Sequence, residues 1–248
     1  MASVSALPRA ALDWLVGATR SSILLVGAAE SYASVLTRAG HSVTVIDPDE
    51  AALARLSAQR FWVHVAVARP ETLPFDPSCF STVLAVQNFH TVRAVRALPQ
   101  WARVLKSQGR VSLVYVTRDD SVPWVKRLKA IVQSRLPEAM SSDYGTDSVS
   151  GLDDSVYFPR VEKTSFRLWV PSTRAQLQDS ARHAPGAEEL AEEELDEMVD
   201  QIGKLYDRYA RAPEPMLLPY QILCWRAQVE RTELSSPGQA AEGVSMSW

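Results

Sequence analysis

Between Ser22 and Asp49 the chain reads SILLVGAAESYASVLTRAGHSVTVIDPD, and no other stretch restricts the fold as much. Ile23, Leu24, Leu25 and Val26 are consecutive apolar residues, so a strand made from them is buried on both faces, as in a parallel sheet. Glu30 to Ala39 continues with helical character and stops at Gly40, where a missing side chain permits a left-handed cap. His41 to Ile46 supplies a second apolar strand. Two parallel strands joined by a helix require a right-handed crossover.

The same alternation recurs downstream. A short helix is predicted over Pro8–Gly17, and further strands over Phe61–Val67, Phe80–Val86 and Val111–Val116. Between the last two, Val92–Leu105 reads as a helix that Pro99 divides or whose start it shifts, with Gly109 closing the helical region. Asp119–Ile131 leads into another helix with Pro123 near its first turn. Thr164–Val170 and Leu217–Val229 read as two late strands. Between them Leu190, Leu195, Met198, Ile202, Leu205 and Tyr206 share one face of an amphipathic helix whose acidic run forms a solvated flank. The expected fold is α/β: a Rossmann-like, mostly parallel seven-stranded sheet with helices on both faces and a late antiparallel strand. Expected domain organisation is a helical segment over 1–20, a cofactor-binding-type core over 21–136, completion of the sheet with a loop and helical insertion over 137–232, and a fraying tail over 233–248. Met140–Asp154, rich in Ser, Asp and Gly, reads as a loop.

Composition narrows the function. In 248 residues, 46% are hydrophobic, enough for a sizeable core, and the net charge of -3 argues against nucleic-acid binding through a broad basic face. No run approaches the roughly 20 apolar residues that span a bilayer, and residues 1–20 lack the basic front and apolar block of a secretory signal. The expected setting is cytoplasmic, with no membrane and no nucleic-acid partner. Cys79 and Cys224 sit among apolar sequence neighbours and suit a reduced interior. Four histidines, His41, His64, His90 and His183, show no tight ligand spacing, so no metal site is expected. Trp14, Trp62, Trp101, Trp169 and Trp225 read as core residues.

Two places carry the functional signal, the turn after the first strand and, more sharply, the aspartate that ends the second. Gly27 ends that strand at the carboxyl edge of the sheet, where open α/β sheets bind their ligands. Ala29 and Ser31 stand where further glycines would let a ligand approach the backbone. Glu30 suits the helix dipole but repels a pyrophosphate, which disfavours a dinucleotide. Asp47 ends the second strand, where its carboxylate is placed either to accept vicinal ribose hydroxyls or to open the following DPDE helix.

Four segments in order, ILLVGAAESYASVLTRAGHSVTVIDPD, ARPETLPFDPSCFSTVLAVQNFHTV, RVLKSQGRVSLVYVTRDDSVPWVKRL and LLPYQILCWRAQV, resemble a class I S-adenosylmethionine-dependent methyltransferase of the type 11 group. The resemblance spans roughly residues 10–230. It implies S-adenosylmethionine as cofactor, with Gly27, Ala29, Asp47, Glu71 and Gln87 as cofactor-binding positions. The sequence departs from the family pattern at Leu25, where an acidic residue is common, and at Ala29 and Ser31. Arg69 stands where an aspartate often meets the adenine amine, Ser81 replaces another aspartate, and KSQG replaces the usual proline–glycine–glycine turn.

Methyl transfer needs close approach and alignment more than a universal catalytic side chain. Where the acceptor needs a base, His90 and Asp119 are the catalytic candidates, with Tyr115, Arg118 and Asp120 near the same mouth. Phe158, Phe166 and Trp169 are candidate acceptor-lining residues. Two readings remain: an enzyme acting on a small or medium organic acceptor, or an inactive methyltransferase-like protein, with the cofactor weak or absent and a protein as its partner.

Overall fold

The structure, a computed structural model, describes residues 7–59, 62–137, 139–140, 149–210 and 215–230. Seven strands form one sheet in the order β3-β2-β1-β4-β5-β7-β6. They are β1 (Ser22–Val26), β2 (Ser42–Asp47), β3 (His64–Val67), β4 (Phe80–Val86), β5 (Leu105–Arg118), β6 (Val161–Ser172) and β7 (Met216–Gln228). Strands β1 to β5 pair in parallel, and β7 runs antiparallel to both β5 and β6. The expected α/β architecture is the observed one.

Helices cover both faces. Helices α1 (Arg9–Val16), α2 (Glu30–Arg38) and α3 (Glu50–Ser57) pack on one face around Ile23, Leu25, Val45, Leu84 and Ile222. On the opposite face lie α4 (Ala94–Val104) and the one-turn α6 (Ser150–Asp153), against Leu24, Val26, Val83, Leu113, Tyr115 and Trp225. A third cluster joins α5 (Pro123–Gln133), α7 (Arg174–Arg182) and α8 (Glu192–Tyr209) to Leu218 and Tyr220. Val116 and Leu168 bridge this cluster and the α1–α3 cluster, so both lie on the same face of the sheet. Alternation along β7 explains the division: Ile222 and Cys224 point to one face, Leu223 and Trp225 to the other.

Several elements differ from expectation for identifiable reasons. Pro99 lies inside α4, which stays continuous; one missing N–H is a small loss for a helix whose Ala97, Leu98, Trp101 and Ala102 are buried. Gly109 does not close that helix. Strand β5 begins at Leu105, and Lys106–Gly109 forms a bulge against β4, with Gln108 at φ 65°. The third strand starts at His64, and the expected Phe61 lies outside the described residues. Strand β6 is longer than expected, because its whole length from Val161 to Ser172 pairs with β7. Part of the expected Met140–Asp154 loop forms α6, which buries Leu152; residues 141–148 lie outside the described residues, as does the expected tail.

Cys79 is exposed, not interior. Cys224 is buried, and burial pushes its thiol up to about 12, which leaves it protonated and unreactive at neutral pH. Trp62 is 93% exposed and Trp169 49% exposed, against the expectation of core packing. Both lie toward the edges of the sheet, where an aromatic side chain has a neighbouring strand on one side only.

His41 opens the way into β2 and is buried, its Nδ1 at 3.1 Å from Ser21 Oγ. Burial lowers its pKa, with Asp13 opposing the effect. The unfolded chain therefore takes up this proton first as pH falls. The contribution is fully present above the unfolded pKa of about 6.5 and is lost as pH falls from there toward the lower folded value. Thermal melts at pH 7.5 and near pH 5 are expected to show a loss of stability on acidification that is smaller in His41→Asn than in the parent.

Candidate active site

Four elements meet at the carboxyl edge between β1 and β4. Gly27 leaves β1 with φ 90°, a conformation natural only to glycine, and its N–H donates to Ile46 O at 2.8 Å. Asn88, just past β4, lies across it: Asn88 Nδ2 donates to Val26 O at 2.8 Å and would sit 2.6 Å from a Cβ on Gly27. Gln87, between β4 and Asn88, has φ 53°, an uncommon backbone setting for a side-chain-bearing residue that concentrates at ligand sites. Its N–H donates to Val114 O, which ties the turn to β5.

Asp47 organises the other side. Its Oδ2 accepts from Ala28 N and its Oδ1 from Asp49 N, both at 2.8 Å. The carboxylate thus holds the β1–α2 turn to the β2–α3 turn, and each oxygen retains a lone pair for a second donor. Asp49 is a separate cap, accepting from Ala51 N at 2.8 Å. The two readings of DPDE are therefore divided between two residues: Asp49 opens α3, while Asp47 faces the turn after β1. Ala29 is the N-cap of α2 and provides no side-chain hydrogen bond, so the positive end of that helix carries no built-in cap.

These residues fit an adenosine-bearing sulfonium. Two buried side-chain acceptors take no hydrogen bond among the described residues, Asn88 Oδ1 and Asp119 Oδ2, and the first lies in this turn, an arrangement that costs free energy unless a donor arrives. Gly27, Ala28, Ala29, Asp47, Gln87 and Asn88 are all half-buried, and Tyr32 turns away into the α1–α3 core. Burial, with Cys224 beside it, raises the Tyr32 pKa, so the phenol stays neutral. Neither Tyr32 nor the exposed Glu30 and Arg69 is buried in this crevice. Leu25, at the position often acidic, is fully buried in the core instead.

The remaining candidates are placed elsewhere. Glu71 Oε1 accepts from Arg93 N at 3.0 Å, so it caps the start of α4. Arg69 forms an isolated backbone bridge with Thr72. His90, on the short turn after β4, donates its backbone N–H to the Tyr115 hydroxyl at 3.1 Å and brings its Nδ1 within 3.4 Å of the same oxygen. His90 is exposed and Tyr115 buried, a pairing in which the phenol orients the imidazole.

Asp119 differs in kind. It is 1% exposed, and its Oδ1 accepts from Ser121 N at 3.2 Å, Ser121 Oγ at 2.5 Å and Gln221 Nε2 at 3.0 Å. Arg167 Nε lies 3.4 Å from Oδ2. Such a carboxylate anchors β6 and β7 to the end of β5; it is not an open base at the mouth. His90 and Asp119 thus belong to different local networks. Of the expected acceptor-lining aromatics, Phe158 is fully buried and Phe166 packs in the α1–α3 cluster, which leaves Trp169. Arg167 and Gln221 escaped notice, although the alternation in TSFRLWV puts Arg167 and Trp169 on one face. Among the described residues there is no group of three His, Cys, Asp or Glu suited to a metal, and no helix is long and apolar enough to cross a membrane.

Comparison with known proteins bears on the fold that carries these residues. Residues 24–113 match the family model described as a methyltransferase domain. An uncharacterized methyltransferase of Mycobacterium tuberculosis is 34% identical over 126 residues, which cover 50% of this chain and 52% of that protein. The chain therefore aligns with about half the length of this relative and of its Mycobacterium bovis counterpart. Among solved structures, a protein assigned as a type II methyltransferase from Anaeromyxobacter dehalogenans is similar with a TM-score of 0.62 at 19% identity, covering 89% of this chain and 96% of the other. A methyltransferase assigned to an antibiotic biosynthesis pathway in Anabaena variabilis gives 0.59 at 14% identity, covering 87% and 94%. The matched segment takes in most of β1, all of β2, β3 and β4, and most of β5, and the seven-stranded, mostly parallel sheet around it is the Rossmann-like fold of methyltransferases.

Proposed function

We propose that this protein transfers a methyl group from S-adenosylmethionine to a small or medium organic acceptor. The observation that carries the reading is the unsatisfied Asn88 Oδ1 beside Gly27, facing a turn that Asp47 holds in place. In this reading Asp47 accepts ribose hydroxyls through its remaining lone pairs, and Asn88 Oδ1 accepts from a donor on the ligand. Gly27 and Ala29 keep the backbone approachable. The cofactor, when bound, supplies an electrophilic methyl on a sulfonium; the chain's own residues position, desolvate and orient. His90, oriented by Tyr115, is the group placed to take a proton from an acceptor hydroxyl or amine.

Calorimetric titration with S-adenosylmethionine and with its demethylated product tests this directly. Saturable binding is expected, weakened roughly 10-fold to 100-fold in Asp47→Ala, the loss of a charge-assisted hydrogen bond together with a loosened turn. Absence of binding at millimolar ligand would favour the alternative, an inactive relative that works through a protein partner. The burial of Leu25 in the core, where an acidic residue is common, is the observation that keeps this alternative in view.

A further inference from the structure

The face of the sheet that carries Tyr115 is covered unevenly. Register places Tyr115 opposite Leu223 and Ser165, then Thr117 opposite Gln221 and Arg167, and beyond them Pro219 opposite Trp169. The first rows lie under α4, α6 and the segment holding Tyr157 and Phe158. Helices α5, α7 and α8 belong to the cluster on the opposite face, with Tyr220 and Leu168. Among the described residues, no helix covers the row of Arg167 or the row of Trp169. Trp169 and Leu217 are each 49% exposed there, and the Arg167 side chain is 66% exposed.

Arg167 lies beside an acid and stays largely open to solvent. Its Nε faces the buried Asp119 Oδ2, and its two terminal nitrogens make no hydrogen bond or ion pair among the described residues. Asp119 presents little negative charge outward: it is 1% exposed and its other oxygen is filled by Ser121 and Gln221. The outward character of the patch is therefore cationic, flanked by an indole and a leucine. Asp119 Oδ2 makes no hydrogen bond among the described residues, so the 3.4 Å pair is an electrostatic one, and the guanidinium's terminal N–H fork is left to meet a planar anion in two parallel hydrogen bonds.

The geometry points to an acceptor that is an organic carboxylate with an aromatic or apolar body: the carboxylate on Arg167, one side of the body against Trp169, and its far end over the Gln221–Thr117 row toward the exposed His90. This deepens the methyl-transfer reading and rests on it for the word acceptor. Strands β4 and β6 are three positions apart, so the carboxylate would lie about 14 Å from the cofactor edge, and methylation would fall at the end of the molecule remote from the carboxylate.

The test uses 6-phenylhexanoate and 6-phenylhexanamide as probes, titrated calorimetrically into the full chain in the presence of S-adenosylhomocysteine. The carboxylate is expected to bind about tenfold or more tightly than the amide. Arg167→Gln should abolish that preference, Arg167→Lys should keep part of it, and Trp169→Ala should weaken both probes alike. Equal affinity for the two probes, a preference that survives Arg167→Gln, or no binding of the carboxylate at millimolar concentration would each overturn the inference. Binding of S-adenosylhomocysteine in the same cell reports separately on the cofactor site, so either conclusion can fall while the other stands.

Discussion

Replacing Asp119 by Ala is expected to destabilise the protein by about 2–3 kcal/mol, the worth of charge-assisted hydrogen bonds removed from a buried position. The side chain is 1% exposed and gathers Ser121 and Gln221 around one oxygen. Gln221 is half-buried, so its amide loses an acceptor that water replaces only in part; Ser121 is exposed and recovers more. The ion pair with Arg167 adds little, because that side chain is two-thirds exposed and solvent screens it. At about 2–4 °C per kcal/mol for a chain of this size, the melting temperature should fall by roughly 5–10 °C. Asp119→Asn keeps an acceptor toward Gln221 and should lose less than half as much. A melt unchanged in Asp119→Ala would show that β5, β6 and β7 are held without this carboxylate.

The second large effect concerns the cofactor edge. In Gly27→Val the backbone at φ 90° becomes strained, at about 1–3 kcal/mol for a branched residue. The new Cβ also meets Asn88 Nδ2 at 2.6 Å, so the amide must swing away and release Val26 O. The Asn88 hydrogen bond to the strand and the placement of Oδ1 are then lost together. Binding of S-adenosylmethionine should become undetectable by calorimetry while the far-ultraviolet circular dichroism remains that of a folded α/β protein. Retained affinity would mean that the ligand does not approach the backbone here.

Much of this arrangement was legible in the sequence because it depends on local pattern. A run such as ILLV, short and closed by Gly27, reads as a strand buried on both faces, and Gly27 and Asp47 sit at strand ends whichever partners the strands choose. The division of DPDE between two tasks was not legible, because it depends on where Ala28 comes to lie relative to residues nineteen positions later in the chain. The buried setting of Asp119 was not legible for a similar reason. From the sequence it is a candidate base at the mouth, and only the late antiparallel strand brings Gln221 against it, across 102 positions. Trp62 and Trp169 were read as core because hydrophobicity alone does not reveal which strands lie toward the edges of a sheet. Arg167 was overlooked because one arginine in an alternating strand is unremarkable until Asp119 comes within 3.4 Å of its Nε.

The placement of β7 between β5 and β6 has a consequence for assembly in the cell. As the polypeptide emerges, β6 has been synthesised well before the strand that must separate it from β5, and helices α7 and α8 come first. Until residues 216–228 arrive, β5 keeps an unpaired border and Arg167 has no Gln221 beside it. Such late, distant pairings are slow and leave open strand borders prone to sticking. The β5–β7–β6 side of the sheet would thus be the last part of the molecule to take shape, although β5 and β6 are both made earlier.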